Sequence, residues 1–473
     1  MSFAHLRTLR STSAGFPSLL AGLWWSLLLT SPVAAVTPTA RTAIERAVRQ
    51  IELGDLELAR SYLALPLIDP RITVTERSRA YYLKGFSLEQ QNYYVSAAQN
   101  YAKALAFNSE NPATLAALGN LYARGLGVSR DRQQAEGLLR RSAEHGHGPG
   151  MTGLGALLLT GLPESHSPEQ DLVDARAWLE SAARADDGEA LLFLARSFRA
   201  GSTDDPDPEQ ALKHYEEALL LNQAAAFNHI GHMQLNGELG KVDTAAAIAA
   251  FERGAQMNEP DAQISLGYLY LLGNGVSQDI DQARSLFSKA ATTNNPLAHH
   301  YLGYMAETTD DLEGAQHHYR LAARGQHLPA LKRLSELSFY NDQPANGIRY
   351  LQTLVQKGQE QNHADPTQKS GQQRAIQQAA NQLGWLLATH DNADLRNADA
   401  ALSYAQLAVA GERSSATLDT LAAAYAEAND FEQAVELQTE AIRLLNGPEQ
   451  RSYGTGYANR LTSQHVALRI AFG

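Results

Sequence analysis

Apolar positions along this chain return in step with small ones. An apolar residue followed by Gly or another small residue closes a predicted helix at Leu118-Gly119, Leu154-Gly155, Leu194-Ala195, Ile230-Gly231, Leu266-Gly267, Leu302-Gly303 and Leu334-Ser335. The intervals are 36, 40, 36, 36, 36 and 32 residues. A second series keeps the same register: Ala135, Ala175, Ala211, Ala247, Ala283, Ala315 and Gly347. Four residues after each stands a large apolar residue: Leu139, Leu179, Tyr215, Phe251, Phe287, Tyr319 and Leu351. Spacing of i,i+4 puts each small–large pair on one helical face. The unit is therefore a helical hairpin, A then B. Its small marker lets the helices approach, and its large residue fills space between hairpins. One hairpin cannot bury its apolar stripe alone, so neighbours stack into a solenoid. The pattern predicts an all-α chain of about eleven hairpins from Ala40 to Leu445.

The loops carry their own signals. One unit reads LGNLYARGLGVSRD from Leu118 to Asp131, and another LGYLYLLGNGVSQD from Leu266 to Asp279. Gly125 and Gly127, matched by Gly273 and Gly275, predict a turn with positive φ after helix A. Asp131 and Asp279 then fall where an N-cap for helix B is expected.

With these residues in hand, the chain resembles the Sel1-like repeats, a subclass of the tetratricopeptide superfamily, over residues 113–358. Flanking segments resemble ordinary tetratricopeptide repeats. Gly85, Ala97, Tyr101 and Ala104 keep that frame, as do Ala422, Tyr425, Ala434 and Ala441, with Gln438 in place of the aromatic. The resemblance implies a right-handed α-solenoid, or superhelix, with helix A lining the inner face. The expected organisation is tetratricopeptide-like hairpins over 36–112, about seven Sel1-like repeats over 113–358, a polar loop over 359–371 carrying Pro366, and further hairpins over 372–446. An irregular cap or tail over 447–473 completes it. A first hairpin turns at Gly54-Asp55 and leads into a connection marked by Pro66 and Pro70.

The N-terminus changes the picture of compartment. Arg7 and Arg10 precede the apolar run Leu19–Leu29, followed by Pro32 and the small-residue ending Val33-Ala34-Ala35. That order is a secretory signal over 1–35, cleaved near Ala35, and it predicts a periplasmic protein. Composition agrees: 39 Lys plus Arg against 51 Asp plus Glu give a net charge of -12, a poor match for nucleic-acid backbones. Zero cysteine excludes disulfides, thiolate metal sites and a lipid anchor on an N-terminal Cys.

Chemical motifs do not nominate an active site, a cofactor or a metal centre. His229-Ile230-Gly231-His232 spells the HIGH signature of class I aminoacyl-tRNA synthetases, but its Ile-Gly is the packing marker of a repeat and no Lys-Met-Ser-Lys-Ser partner follows. His299, His300, His317 and His318 offer at most one good ligand per direction from each adjacent pair. Attention moves to the side chains that vary beside the fixed markers on helix A. The residue after each small marker and the one three before it share a face, nominating Asn120, Arg196, Asn228, His232, Tyr268, His300, Tyr304 and Glu336 as a partner-binding groove. The tyrosines can stack on a peptide or a sugar ring. With the resemblance, this implies a non-enzymatic periplasmic scaffold or adaptor for envelope proteins, such as a secretion or polysaccharide-export complex. The second reading is a glycan- or peptidoglycan-binding module.

Overall fold

A computed structural model describes residues 38–160, 167–199, 206–364 and 369–445. The expected signal segment and the C-terminal cap or tail lie outside them. Among the described residues the structure holds twenty-two α-helices, one short 3-10 turn and no strand. The chain divides into two units at Met257/Asn258.

The first unit contains six antiparallel hairpins. These are α1 (Pro38–Glu52) with α2 (Leu56–Ile68), α3 (Val74–Glu89) with α4 (Tyr94–Phe107), and α5 (Pro112–Arg124) with α6 (Arg132–Glu144). They continue as α7 (Gly148–Leu159) with α8 (Pro168–Ala183), α9 (Gly188–Arg199) with α10 (Pro208–Leu220), and α11 (Ala225–Asn236) with α12 (Thr244–Gln256). The second unit has five: α13 (Pro260–Leu272) with α14 (Ile280–Ala291), α15 (Pro296–Thr308) with α16 (Leu312–Arg324), and α17 (Leu328–Tyr340) with α18 (Pro344–Ala364). The last two are α19 (Lys369–Thr389) with α20 (Ala398–Gly411), and α21 (Ser415–Glu427) with α22 (Phe431–Leu445). Within each unit helix B also packs on the next helix A, which closes the apolar stripes as the periodicity requires.

The marker pairs explain the close approach. A β-carbon on Gly231 would stand 2.4 Å from Phe251, one on Gly155 2.6 Å from Leu179, and one on Gly119 2.8 Å from Leu139. In the second unit the corresponding distances are 2.9 Å for Gly267 against Phe287 and 2.8 Å for Gly303 against Tyr319. The large residue thus seats directly on the glycine of its own hairpin, a tighter role than filling space between hairpins.

Capping sets the boundaries. Asp131 and Asp279 cap helix B as expected, each accepting a bond from the backbone N–H three residues on, at 2.9 Å. Asp207, Asp243 and Asp311 do the same. The N–H of the cap returns to the helix-A end, Asp131 to Tyr122 O at 3.1 Å and Asp279 to Tyr270 O at 3.0 Å, so loop and cap close together. Gly125 (φ 68°) and Gly273 (φ 70°) are left-handed, as the turn demanded. Joints from helix B to the next helix A use a left-handed residue in the repeat register: Gly146, Asp186 and Asn222 in the first unit, then Asn258, Asn294 and Gln326.

Two boundaries differ from expectation. The polar stretch 359–371 is helical at both ends, because α18 runs to Ala364 and α19 begins at Lys369. Gly358 packs on Ile376 and the Gln372 amide donates to Gln361, so pairing of α18 with α19 carries helix into the polar sequence. At the other end, α2 passes through Pro66 to Ile68; the helix closes where Asp69 N–H bonds Leu65 O at 3.1 Å.

Candidate functional site

The candidate groove residues fall four in each unit. In the first, Arg196 is exposed on α9, its guanidinium carbon 5.7 Å from the Phe193 ring centre. The others are half-buried at joints between helices. Asn120 Oδ1 comes within 2.7 Å of where a β-carbon on Gly153 would be, so it packs α5 on α7. His232 meets Phe251 edge-on with ring centres 5.2 Å apart, and Asn228 lies one turn earlier on α11. His229, in the HIGH letters, stacks on Tyr215 at 5.0 Å, and burial pushes its pKa down to about 4. Asn120 and His232 thus also take part in packing between helices, and each of the three, Asn228 included, keeps part of its surface exposed.

In the second unit the face is more open. Tyr268 on α13 and Tyr304 on α15 are 41% and 47% exposed, with Leu272 and Tyr340 also exposed on helices A. Tyr268 is held by Tyr301 at 5.6 Å, and Tyr301 stacks on Phe287 at 4.8 Å. That ladder anchors one edge of an exposed phenol to the buried core. Glu336, half-buried on α17, shares Arg333 with Glu307 of α15, and Lys332 Nζ stands 4.0 Å from its carboxylate. Tyr319 donates to Glu307 at 2.9 Å; burial first, and this bond second, raise its pKa above the usual phenol range. Tyr101 and Glu89 repeat the same arrangement in the first unit at 2.6 Å. His300 is half-buried against Tyr319 and His327, so it supports the face from beneath instead of presenting a free imidazole.

The histidine cluster is real in space. His299 and His318 Nδ1 atoms are 3.3 Å apart, and His317 lies beside His318. Among the described residues no group of three or more His, Asp or Glu side chains is placed to hold a metal ion. No helix among them is long and apolar enough to cross a membrane. Sequence reasoning missed the Glu–Tyr pairs, although their offset of twelve residues in both repeats was available as a signal.

The fold defines a helical-hairpin repeat protein, an architecture typical of protein–protein interaction scaffolds. The Sel1 repeat family matches residues 112–147, 148–187, 188–222 and 260–295, so the chain carries Sel1 repeats on both sides of the unit boundary. Among solved structures, a Sel1 repeat protein from Oxalobacter formigenes is similar at 25% identity and a TM-score of 0.39, covering 51% of this chain and 98% of that one. The protective antigen c5321 of uropathogenic Escherichia coli, which displays an SLR fold, is 18% identical with a TM-score of 0.42, covering 90% of this chain and 94% of its own. Yeast Tom70 is 13% identical with a TM-score of 0.31, covering 91% and 96%. No curated protein matches the chain.

Proposed function

We propose that this chain is a non-enzymatic scaffold of the bacterial periplasm that binds protein partners of a cell-envelope assembly, such as a secretion or polysaccharide-export complex. The observation that carries the reading is the pair Tyr268 and Tyr304. They occupy equivalent positions on helices A of consecutive repeats and keep 41% and 47% of their surface free. Large aromatic side chains held at one edge and open at the other bind at small entropic cost. The charged residues Lys332, Arg333 and Glu336 on α17, the next helix A in the series, add polar selectivity. The segment Arg7–Ala35, with the order of an export signal, supports the compartment.

The test is crosslinking and pull-down from intact periplasm, wild type beside Tyr268→Ala/Tyr304→Ala. Protein partners captured by the wild type and lost from the variant are expected. Equal capture by both places recognition elsewhere on the chain. No partner with either, together with saccharide binding that the double variant loses, would replace the scaffold with the glycan-binding reading that exposed tyrosines also favour.

A further inference from the structure

Five histidines meet in the second unit around α15, α16 and the start of α17. His299 and His318 hold their Nδ1 atoms 3.3 Å apart, with ring centres at 5.6 Å and planes inclined by 27°. At that separation one ring donates and the other accepts, so the contact tolerates no more than one proton between the two nitrogens. His300, about 100° further round the helix, lies 4.7 Å from His327 in a T-shaped contact. His300 Nδ1 and His327 Nε2 are both shut away from solvent without a hydrogen-bond partner among the described residues. His317 adds a ring 5.4 Å from His318.

The surrounding charges do little to welcome protons. Glu307 of α15 favours a charged His300 and Asp311, the cap of α16, favours a charged His318. Arg333 of α17 opposes charge on His300, His300 opposes it on His327, His317 opposes it on His299, and His299 and His317 oppose it on His318. From α14 the buried residues turned inward are Ala283, Leu286, Phe287 and Ala290, while Asp281 and Lys289 are exposed and Arg284 is half-buried. Burial is the largest influence and lowers the pKa of His299, His300 and His318, and that of His327 to about 4.

We propose that this imidazole cluster is an acid-sensitive joint: protonation separates the paired rings and loosens α15 from α16 and from the start of α17, ahead of the rest of the array. Helices α3 and α4 contain no histidine and serve as the internal reference. The inference concerns the scaffold itself and stands whichever partner it binds.

Amide hydrogen exchange on the full chain, at about pH 7 and about pH 5 with intrinsic rates corrected, tests it. Protection in α15–α17 is expected to drop by about tenfold or more while α3 and α4 change by less than about twofold. In His299→Gln/His318→Gln, which keeps an amide pair and removes the titration of that pair, the drop in α15–α16 should be at least about threefold smaller than in the wild type. Protection retained in wild-type α15–α17, or lost equally in the variant, overturns the proposal. Histidine ring NMR on the wild type gives a reading independent of any variant. Titration of His299, His300, His318 and His327 clearly below the ordinary imidazole range supports the joint, and titration of these four within that range refutes it.

Discussion

The marker glycines make a prediction of sign. Gly→Ala inside a helix gains about 1 kcal/mol of propensity where the methyl meets nothing. Gly137 of α6 is such a site, because a β-carbon there has no atom within 4 Å. Gly137→Ala should therefore stabilise the first unit by about 0.5–1 kcal/mol. At Gly231 the same methyl would come to 2.4 Å from Phe251 Cε1, and that ring is fully buried. Carbon contacts settle near about 3.5–4.0 Å, so ring or helix must move by about 1 Å. Overpacking of this kind costs about 1–3 kcal/mol. Net of the propensity gain, Gly231→Ala should come out about 0–2 kcal/mol destabilised, in contrast to the gain at Gly137. Gly231→Ala/Phe251→Leu, which withdraws the ring edge, should be less destabilised than the two single changes predict by about 0.5–3 kcal/mol. Urea unfolding followed by circular dichroism supplies the ranking. Hydrogen exchange in α11 and α12 localises the effect, since stacked repeats need not unfold in one step. If Gly231→Ala stabilises the protein as Gly137→Ala does, marker-on-ring packing is not what sets the hairpin spacing.

Other outcomes follow from local contacts. Asp279→Ala should cost about 1 kcal/mol through loss of the cap on α14, with Asp279→Asn nearly neutral, both read by thermal unfolding. Arg199 binds Glu238 through two bonds of 2.7 and 2.8 Å with both side chains largely covered, so Glu238→Gln should destabilise by about 1–2 kcal/mol and move the unfolding midpoint in urea. Burial holds His147 and His229 neutral down to about pH 4, whereas in the unfolded chain they take up protons from about 6.5. The unfolded state therefore binds more protons between those limits, and stability is full above about pH 6.5 and falls as pH drops towards 4. His229→Gln should flatten that slope in a melting series against pH.

Much of this protein was legible in its sequence because its information is local. Hairpin number, marker register, the caps Asp131 and Asp279 and the left-handed glycines all follow from spacings within a few helical turns. The varying interval was visible too, but its cause was not. The 32-residue step arises because the turn between α15 and α16 is only residues 309–311, against 273–279 between α13 and α14. Left-handed Asn and Asp at the joints, such as Asn222 and Asn294, were missed because those residue types also occur in ordinary polar turns.

The candidate site was less readable for a related reason. Helical period says which residues share a face of helix A; it does not say how deeply the next hairpin covers that face. Tyr268 and Tyr304 stay open, while Asn120, His232 and His300 are drawn into joints by Gly153, Phe251 and His327. Sequence alone determined that this chain is a stack of helical hairpins, since a 3.6-residue period and short-range caps are written residue by residue. Only tertiary packing decided where helix continues through 359–364, which rings meet across hairpins, and which tyrosines remain available. Those outcomes depend on contacts between residues distant along the chain, and no spacing within one repeat records them.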